Sequence, residues 1–487
     1  MRFIFFLFIL IISSEVFSKT LDENIPFNFS DSLLVIDDSV SDNYKTVIVK
    51  EINLKGNKVT KDFIIYRELE FAANDTFSIS RFDSLLISSR ENLLNTSLFN
   101  FVTFNLEFVR EGNFAKTTVT IDFVERWYVW PFPIFELAER NFNTWWKTKD
   151  FSRANYGFFL TMDNFRGRME KLKVLISMGY DEKYEFSYQI PYINKKQTIG
   201  FQLSAGLLQN HETSVFTIND TLQYFKSENY YPKKKKYIGL QLINRPDIHN
   251  SQIFEIKYNQ YEFTDSLLKL NPFYTVNGFS KVHYFSFYYQ YKSDFRDYKP
   301  YPLNGYYFDF VLNKSGFGLF KEKLNVFFVQ STFREYWKLC NRFYFAYMLS
   351  AKFSSDSFQP YFAQEGLGYG RNFPRSYEFY VIDGQDYGLL KTNIKFELIP
   401  EKVQKFGFIP SKNFNTIHFA VYLNLFADLA YVKDDIYNKN NTLSNELLFG
   451  TGIGLDLVTY YDIVWRVEYS INKMHESGFF IHFMAPL

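Results

Sequence analysis

The sequence predicts a mainly β protein: a transmembrane antiparallel β-barrel of about 16 strands preceded by one small α+β domain. Three observations carry this. After the first twenty residues no apolar run approaches the roughly 20 residues that a spanning helix needs. From about residue 150 onward, apolar and polar residues alternate in strand-length blocks. Aromatic residues make up 21% of the chain, with 59 Phe and 37 Tyr, enough for both lipid-facing bulk and interfacial girdles. The alternation is plain in Phe201, Leu203, Ala205 and Leu207, set against Gly200, Gln202, Ser204 and Gly206. It is longest in Phe419, Val421, Leu423, Leu425, Ala427, Leu429 and Tyr431, whose intervening residues include Asn424 and Asp428.

Lys and Arg total 54 against 53 Asp and Glu, a net charge of +1, so the overall balance gives no reason to expect nucleic acid as a partner. Cys340 is the one cysteine, which excludes an intramolecular disulfide. At the N-terminus, Met1-Arg2 precedes an apolar run from Phe3 to Ile12 and the small or tolerated residues Val16-Phe17-Ser18. Residues 1–18 therefore read as a secretory signal peptide, and the acidic, aperiodic residues 19–44 as a flexible leader.

Residues 45–126 have the texture of a small folded domain. Val47 to Leu54 form a strand stopped by Gly56-Asn57. A helix begins near Asp62 with Phe63, Ile64, Tyr66 and Leu69, and a second follows the capping box Ser80-Arg81-Phe82-Asp83. Strands Val102 to Val109 and Thr117 to Val124 close a β-α-α-β-β order. With Gly56-Asn57 after the first strand and Ser97-Leu98-Phe99 leading into the second, this unit resembles a POTRA domain.

Residues 127–149 read as a junction, because Pro131 and Pro133 oppose regular structure. Residues 150–487 are expected to form the barrel, with turn signals at Asn164-Phe165-Arg166-Gly167, Asp181-Glu182-Lys183, Asn304-Gly305 and Asn313 to Gly316.

The stretch from Gly366 to Glu378 is too glycine-rich for a strand and reads as a long loop with a function. Together with Gly388 to Pro400 it is similar to the loop signature of the outer-membrane assembly superfamily of the BamA and TamA type, in which the sixth loop folds into the barrel behind an Arg-Gly-aromatic tip. The matching tip here is Arg375, Ser376, Tyr377 and Glu378, with Ser in the Gly position. The resemblance implies that Arg375 is held by inner-wall carboxylates, Glu397 and Asp428, both of which the alternation turns inward. It implies a lateral seam between first and last strands, marked by Tyr156 and Phe159 on one side and Phe480 and Phe483 on the other.

The implied function is insertion or assembly of outer-membrane proteins, with unfolded β-barrel proteins or other exported polypeptides, the lipid bilayer and accessory assembly subunits as partners. The implied location is the outer membrane of a Gram-negative-type bacterium, with the POTRA domain in the periplasm. A single POTRA unit implies a specialised or accessory member. A polypeptide secretion pore of the same superfamily is the main alternative, followed by a structural barrel or a barrel enzyme.

Competing signals read as ordinary. Gly450-Thr451-Gly452-Ile453-Gly454 lacks the Lys-Ser/Thr of a phosphate loop, and Lys233 to Lys236 suit a solvated tip. His211, His249, His283, His418, His475 and His482 include no pair at zinc spacing, and no Gly-x-Ser-x-Gly elbow occurs. No catalytic residues, metal or cofactor are therefore expected.

Overall fold

The computed structural model describes residues 34–35, 46–111, 114–137, 154–321, 324–355, 358–370, 372–406, 414–459 and 461–483. The expected signal peptide lies outside the described residues, as does the leader apart from Leu34–Val35.

The N-terminal domain is a five-stranded sheet with helices against it. In chain order it contains β1 (Leu34–Val35), β2 (Thr46–Lys55), α1 (Asp62–Tyr66), β3 (Thr76–Ser78), α2 (Ile79–Asn95), β4 (Phe99–Glu111) and β5 (Phe114–Glu125). The sheet order is β1-β4-β5-β2-β3, with β2 parallel to β5 and β4 antiparallel to it. Alternate residues Val102, Phe104 and Leu106 on β4, and Val119, Ile121 and Phe123 on β5, meet Phe82, Leu86 and Leu93 from one face of α2. The short β3 was absent from the expected order. Because the chain is still extended there, α2 starts at Ile79 behind the N-cap Ser78, two residues ahead of the expected capping box, and no side-chain cap bond forms.

Sixteen of the remaining described strands build one antiparallel sheet, and two more form a separate hairpin. It runs β6 (Val129–Leu137), β7 (Ala154–Phe165), β8 (Glu170–Gly179), β9 (Glu182–Ile190) and β10 (Ile199–Asn210). The hairpin β11 (Glu212–Ile218) and β12 (Thr221–Lys226) is inserted before β13 (Lys233–Asn244) and β14 (Asn250–Phe263). After α3 (Asp265–Leu270) come β15 (Lys281–Asp294), β16 (Gly305–Ser315), β17 (Val326–Cys340) and β18 (Phe343–Ser354). The sheet ends with β19 (Asp386–Lys405), β20 (Thr416–Lys433), β21 (Leu447–Thr459), β22 (Ile463–Asn472) and β23 (Ser477–His482). Leu425, Leu429, Ile453, Leu455, Val467 and Ile471 are exposed on its outer face, while Asn424, Asp428, Asp456, Glu468 and Ser470 are buried on the inner one. This is the division that the alternation predicted. Among the described residues no helix is long and apolar enough to cross a membrane.

The expected junction is corrected in part. Residues 129–137 form β6, the first strand of the sheet, in unbroken register with β7 from Val129↔Met162 to Leu137↔Ala154. Proline is tolerated here because β6 is a terminal strand. Pro131 and Pro133 are two residues apart, so their missing N–H groups fall on one side of the strand, and a free edge is the side that can lack them.

The sheet curls until its ends approach each other, with the ring of Trp130 on β6 lying 5.5 Å from that of Tyr461 in the β21–β22 turn. At this rim the N-terminal domain docks. Arg126 makes a fork to Asp462, Nη1–Oδ2 2.6 Å and Nη2–Oδ1 2.8 Å, and Tyr298 donates to the same carboxylate at 2.7 Å. Arg245 makes a second fork to Glu68 at 2.7 and 2.8 Å. The β7–β8 turn touches the domain at Gly167, whose carbonyl accepts from Lys61 N–H at 2.9 Å. Gly167 has φ +70°, and a Cβ there would lie 2.0 Å from the Val59 carbonyl oxygen, so glycine permits the contact.

Two carboxyls make this docking depend on pH in opposite senses. Burial, then Asp297 and Glu70 against the opposing charge of Arg90, pushes Glu91 up to about 7. Its contribution is complete below the ordinary value of 4.5 and is lost as pH rises through about 7. Burial works to raise Asp462 as well, but the bonds and charge of Arg126 and the hydroxyls of Tyr298 and Ser97 outweigh it and hold it below the ordinary value. Its contribution is present above that ordinary value and is lost only as pH falls through the depressed one. Glu91→Gln is expected to remove a weakening of about 1–3 kcal/mol that develops as pH rises from about 4.5 to about 7. Energy transfer between dyes on the domain and the rim reads the change. Arg126→Ala, which leaves Asp462 unpaired, should loosen docking by about 3 kcal/mol in the same assay.

Candidate functional site

The strand positions around Asp428 set up the site. On β19 the residues Lys391, Asn393 and Lys395 are buried on the inner face, and on β20 Asn424, Phe426 and Asp428 do the same. Register places Asp428 opposite Lys391 and, across the next ladder, opposite Gly450 on β21. The loop between β18 and β19 enters this wall at Arg375. A Cβ on Gly450 would lie 2.2 Å from the Arg375 carbonyl oxygen, so the bare backbone of β21 makes the room.

Arg375 is 0% exposed, as are Asp428 and Asn393. Its backbone N–H donates to Asp428 Oδ2 at 2.8 Å, Nε to the same oxygen at 2.9 Å, and Nη2 to Asp428 Oδ1. Nη1 donates to Asn393 Oδ1 at 2.6 Å and Nη2 to the Thr392 carbonyl at 3.1 Å. The guanidinium lies 3.9 Å over the ring of Phe426. One loop cation is thereby bound to two adjacent strands through a bidentate fork, two further acceptors and a π face.

Glu397 is not among these partners, which corrects the expected set. It lies on the same face of β19 as Asn393 but four residues along, roughly 13 Å away, where its carboxylate accepts from Tyr422 Oη at 3.5 Å. Alternation selects a face and is silent about depth, and the amide of Asn393, which sequence reasoning passed over, sits at the depth that Arg375 reaches.

Ser376 takes φ +77°, a left-handed conformation that glycine adopts freely and that a serine here holds under strain. Its carbonyl accepts from Asn472 Nδ2 at 3.3 Å. Tyr377 is buried and donates to the Phe449 carbonyl at 3.1 Å. Glu378 lies close to His482 at the end of β23. A second buried cluster lies on the same wall, where Lys395 sits 4.0 Å over the ring of Tyr301 and Tyr301 donates to Asp456 at 2.7 Å. Tyr301 comes from the β15–β16 turn, so the loop and this turn both enter the interior.

The seam residues separate. Phe480 lies on β23 with its ring 5.4 Å from that of Phe379, and Phe483 follows β23 with its ring 4.9 Å from that of Trp465. Tyr156 and Phe159 belong to β7, where they pair with Phe135 and Phe132 of β6. The first strand of the sheet is β6, so the seam lies one strand earlier than expected. The proline rule that hid β6 is the cause of the shift.

A family model described as POTRA, surface antigen variable number repeat, matches residues 47–126. Residues 47–126 form a POTRA domain. The POTRA domain stands before a 16-stranded barrel, the pair of parts that the loop resemblance implied. No curated protein matches the chain. Among solved structures it is similar to BamA from Haemophilus ducreyi lacking POTRA domains 1–3, at 15% identity over 90% of this chain and 83% of that one, with a TM-score of 0.48. It is similar to CdiB from Acinetobacter baumannii at 13% identity, 90% and 74% coverage and a TM-score of 0.44. For CdiB from Escherichia coli the values are 12%, 89%, 75% and 0.47.

Arg375→Ala leaves Asp428 buried without its counter-charge and is expected to cost about 3–5 kcal/mol, seen as a lower temperature for loss of the compact, heat-modifiable barrel on gels. Glu397→Gln should change stability by less than about 0.5 kcal/mol in that assay. Ser376→Gly should gain about 1 kcal/mol by relieving the left-handed strain.

Proposed function

We propose that this chain is an outer-membrane assembly or insertion factor of the BamA and TamA type, receiving exported polypeptides at its POTRA domain and delivering them at the seam between β6 and β23. The observation that carries this reading is the state of that seam. Among the described residues no ladder pair joins β6 to β23. One side offers a strand with two prolines, the other a strand of only six residues. Among the described residues every other neighbouring pair in the sheet is joined by a ladder, so the backbone groups available to an incoming strand are concentrated at this one place.

The outward residues Phe479 and Ile481 of β23, 76% and 62% exposed, suit contact with lipid beside the seam. The POTRA edge supports the same reading. Strand β4 already accepts an extended segment, Leu34–Val35, parallel to Phe104–Asn105. That edge is therefore able to take an added strand from an exported chain in exchange for its own leader. Arg375 and Tyr377 hold the loop against β19, β20 and β21 and keep the wall next to the seam in one arrangement.

The test is reconstitution. Liposomes carrying the protein should speed the folding of a urea-denatured outer-membrane barrel protein at least about tenfold over empty liposomes, measured by protease protection. Absence of acceleration, together with a steady single-channel conductance, would overturn the insertion role in favour of a polypeptide secretion pore.

A further inference from the structure

We propose that Glu378, Glu468 and His482 form a binding site for a divalent metal ion of the zinc class, and that the ion clamps the last strand of the barrel to the loop. The three come from different elements: the loop after the Arg375 tip, β22, and the last residue of β23. His482 Nε2 lies 3.6 Å from Glu378 Oε1 and 3.6 Å from Glu468 Oε2, and one ligand atom from each residue lies within 4.8 Å of the others. Zinc bonds of about 2.1 Å in tetrahedral array place ligand atoms about 3.4 Å apart, so the observed spacing closes on an ion with small side-chain adjustments.

The second observation is that these atoms lack hydrogen-bond partners, the one cation already beside them among the described residues being Arg466 at Glu468 Oε1. Both oxygens of Glu378, both of Glu468 and Nε2 of His482 are buried without a hydrogen-bond partner. Glu468 is 1% exposed. Its neighbour Arg466 approaches only one oxygen, Nε to Oε1 at 3.0 Å, and leaves Oε2 facing the histidine. Two carboxylates turned toward one imidazole nitrogen are costly in a buried setting, and a dication satisfies all three acceptors at once. One imidazole with two carboxylates suits zinc and its neighbours in the first transition row, and three protein ligands leave a fourth position for water.

The consequence is mechanical. Among the described residues the only ladder of β23 is the one with β22, six paired positions long, beside a ring contact of Phe480 with Phe379 of the loop. A metal at its final residue adds a tie to β22 and a second tie to the loop, at the strand that borders the seam. The site rests on this geometry and does not depend on the assembly reading.

The experiment uses the full-length, untagged protein in detergent, stripped with a chelator and titrated with Co²⁺ as a spectroscopic probe, then with Zn²⁺ in competition. One equivalent is expected, with visible ligand-field bands that vanish on Zn²⁺ addition. His482→Gln and Glu468→Gln should each weaken binding by more than about tenfold, the scale that even outer-shell changes reach at metal sites. Glu397→Gln should bind as wild type, and heat-modifiable migration shows which variants are folded. Should Glu468→Gln fail to fold, His482→Gln at the strand end decides the matter. Hydrogen exchange of residues 477–482 should rise when the ion is removed. No stoichiometric binding by the wild-type protein would overturn the site and mean that a shared proton satisfies these groups. Binding unchanged in His482→Gln would place the ion elsewhere, and binding with unchanged exchange in β23 would overturn the clamp.

Discussion

The arrangement depends on one constraint: a β-sheet with an apolar outer face must satisfy its backbone donors and acceptors within itself, and this sheet has its weakest means of doing so where its ends meet. Among the described residues fourteen inner strands each have two ladder partners, whereas β6 and β23 each have one. Pro131 and Pro133 remove two donors from β6, and β23 presents six residues where β19 has 20. The other features gather round this gap. The POTRA domain locks onto the β21–β22 turn through Arg126 and Asp462, the loop fixes β19, β20 and β21 through Arg375, and Glu378 meets His482 on β23.

Such bracing uses buried charge where apolar packing would serve stability as well or better. A buried ion pair recovers its desolvation cost only when the geometry is good and the remaining donors are satisfied, and replacing it with well-packed apolar residues is often neutral. Arg375 meets the condition, since Nε, Nη1, Nη2 and its backbone N–H all have acceptors. What the charge adds is specificity of position. An apolar loop tip could settle at many depths along an inner wall, whereas a fork with a fixed carboxylate and amide has one depth and one orientation.

Much of this was legible in the sequence because the relevant signals are local. Period-two alternation gave the sheet and its faces, and the loop signature put Arg375 and Asp428 together. What was missed involved either a rule with a positional exception or a dimension that alternation does not encode. Proline opposes strands except at an edge, and the sequence does not say which strand is terminal until the sheet is closed. Glu397 and Asn393 share a face, and only the three-dimensional register decides which one lies within reach of the guanidinium. The cluster at His482 was not legible because Glu468 and Glu378 lie 14 and 104 residues away in the chain, beyond any local spacing. Gly450 carried a usable clue, since a glycine inside an otherwise regular strand marks close backbone approach, and the chain that approaches is Arg375.

The most direct measurement of the central claim is a disulfide lock across the seam. Cysteine pairs set along β6 and β23, at Phe132 or Ile134 with Phe479 or Ile481, in a Cys340→Ser background, would be oxidised and assayed for insertion of a barrel protein from reconstituted liposomes. A seam that opens to deliver its client requires that a verified lock abolish insertion and that reductant restore it. Insertion that proceeds unchanged through a verified lock would contradict the seam as the exit and leave the lumen as the path.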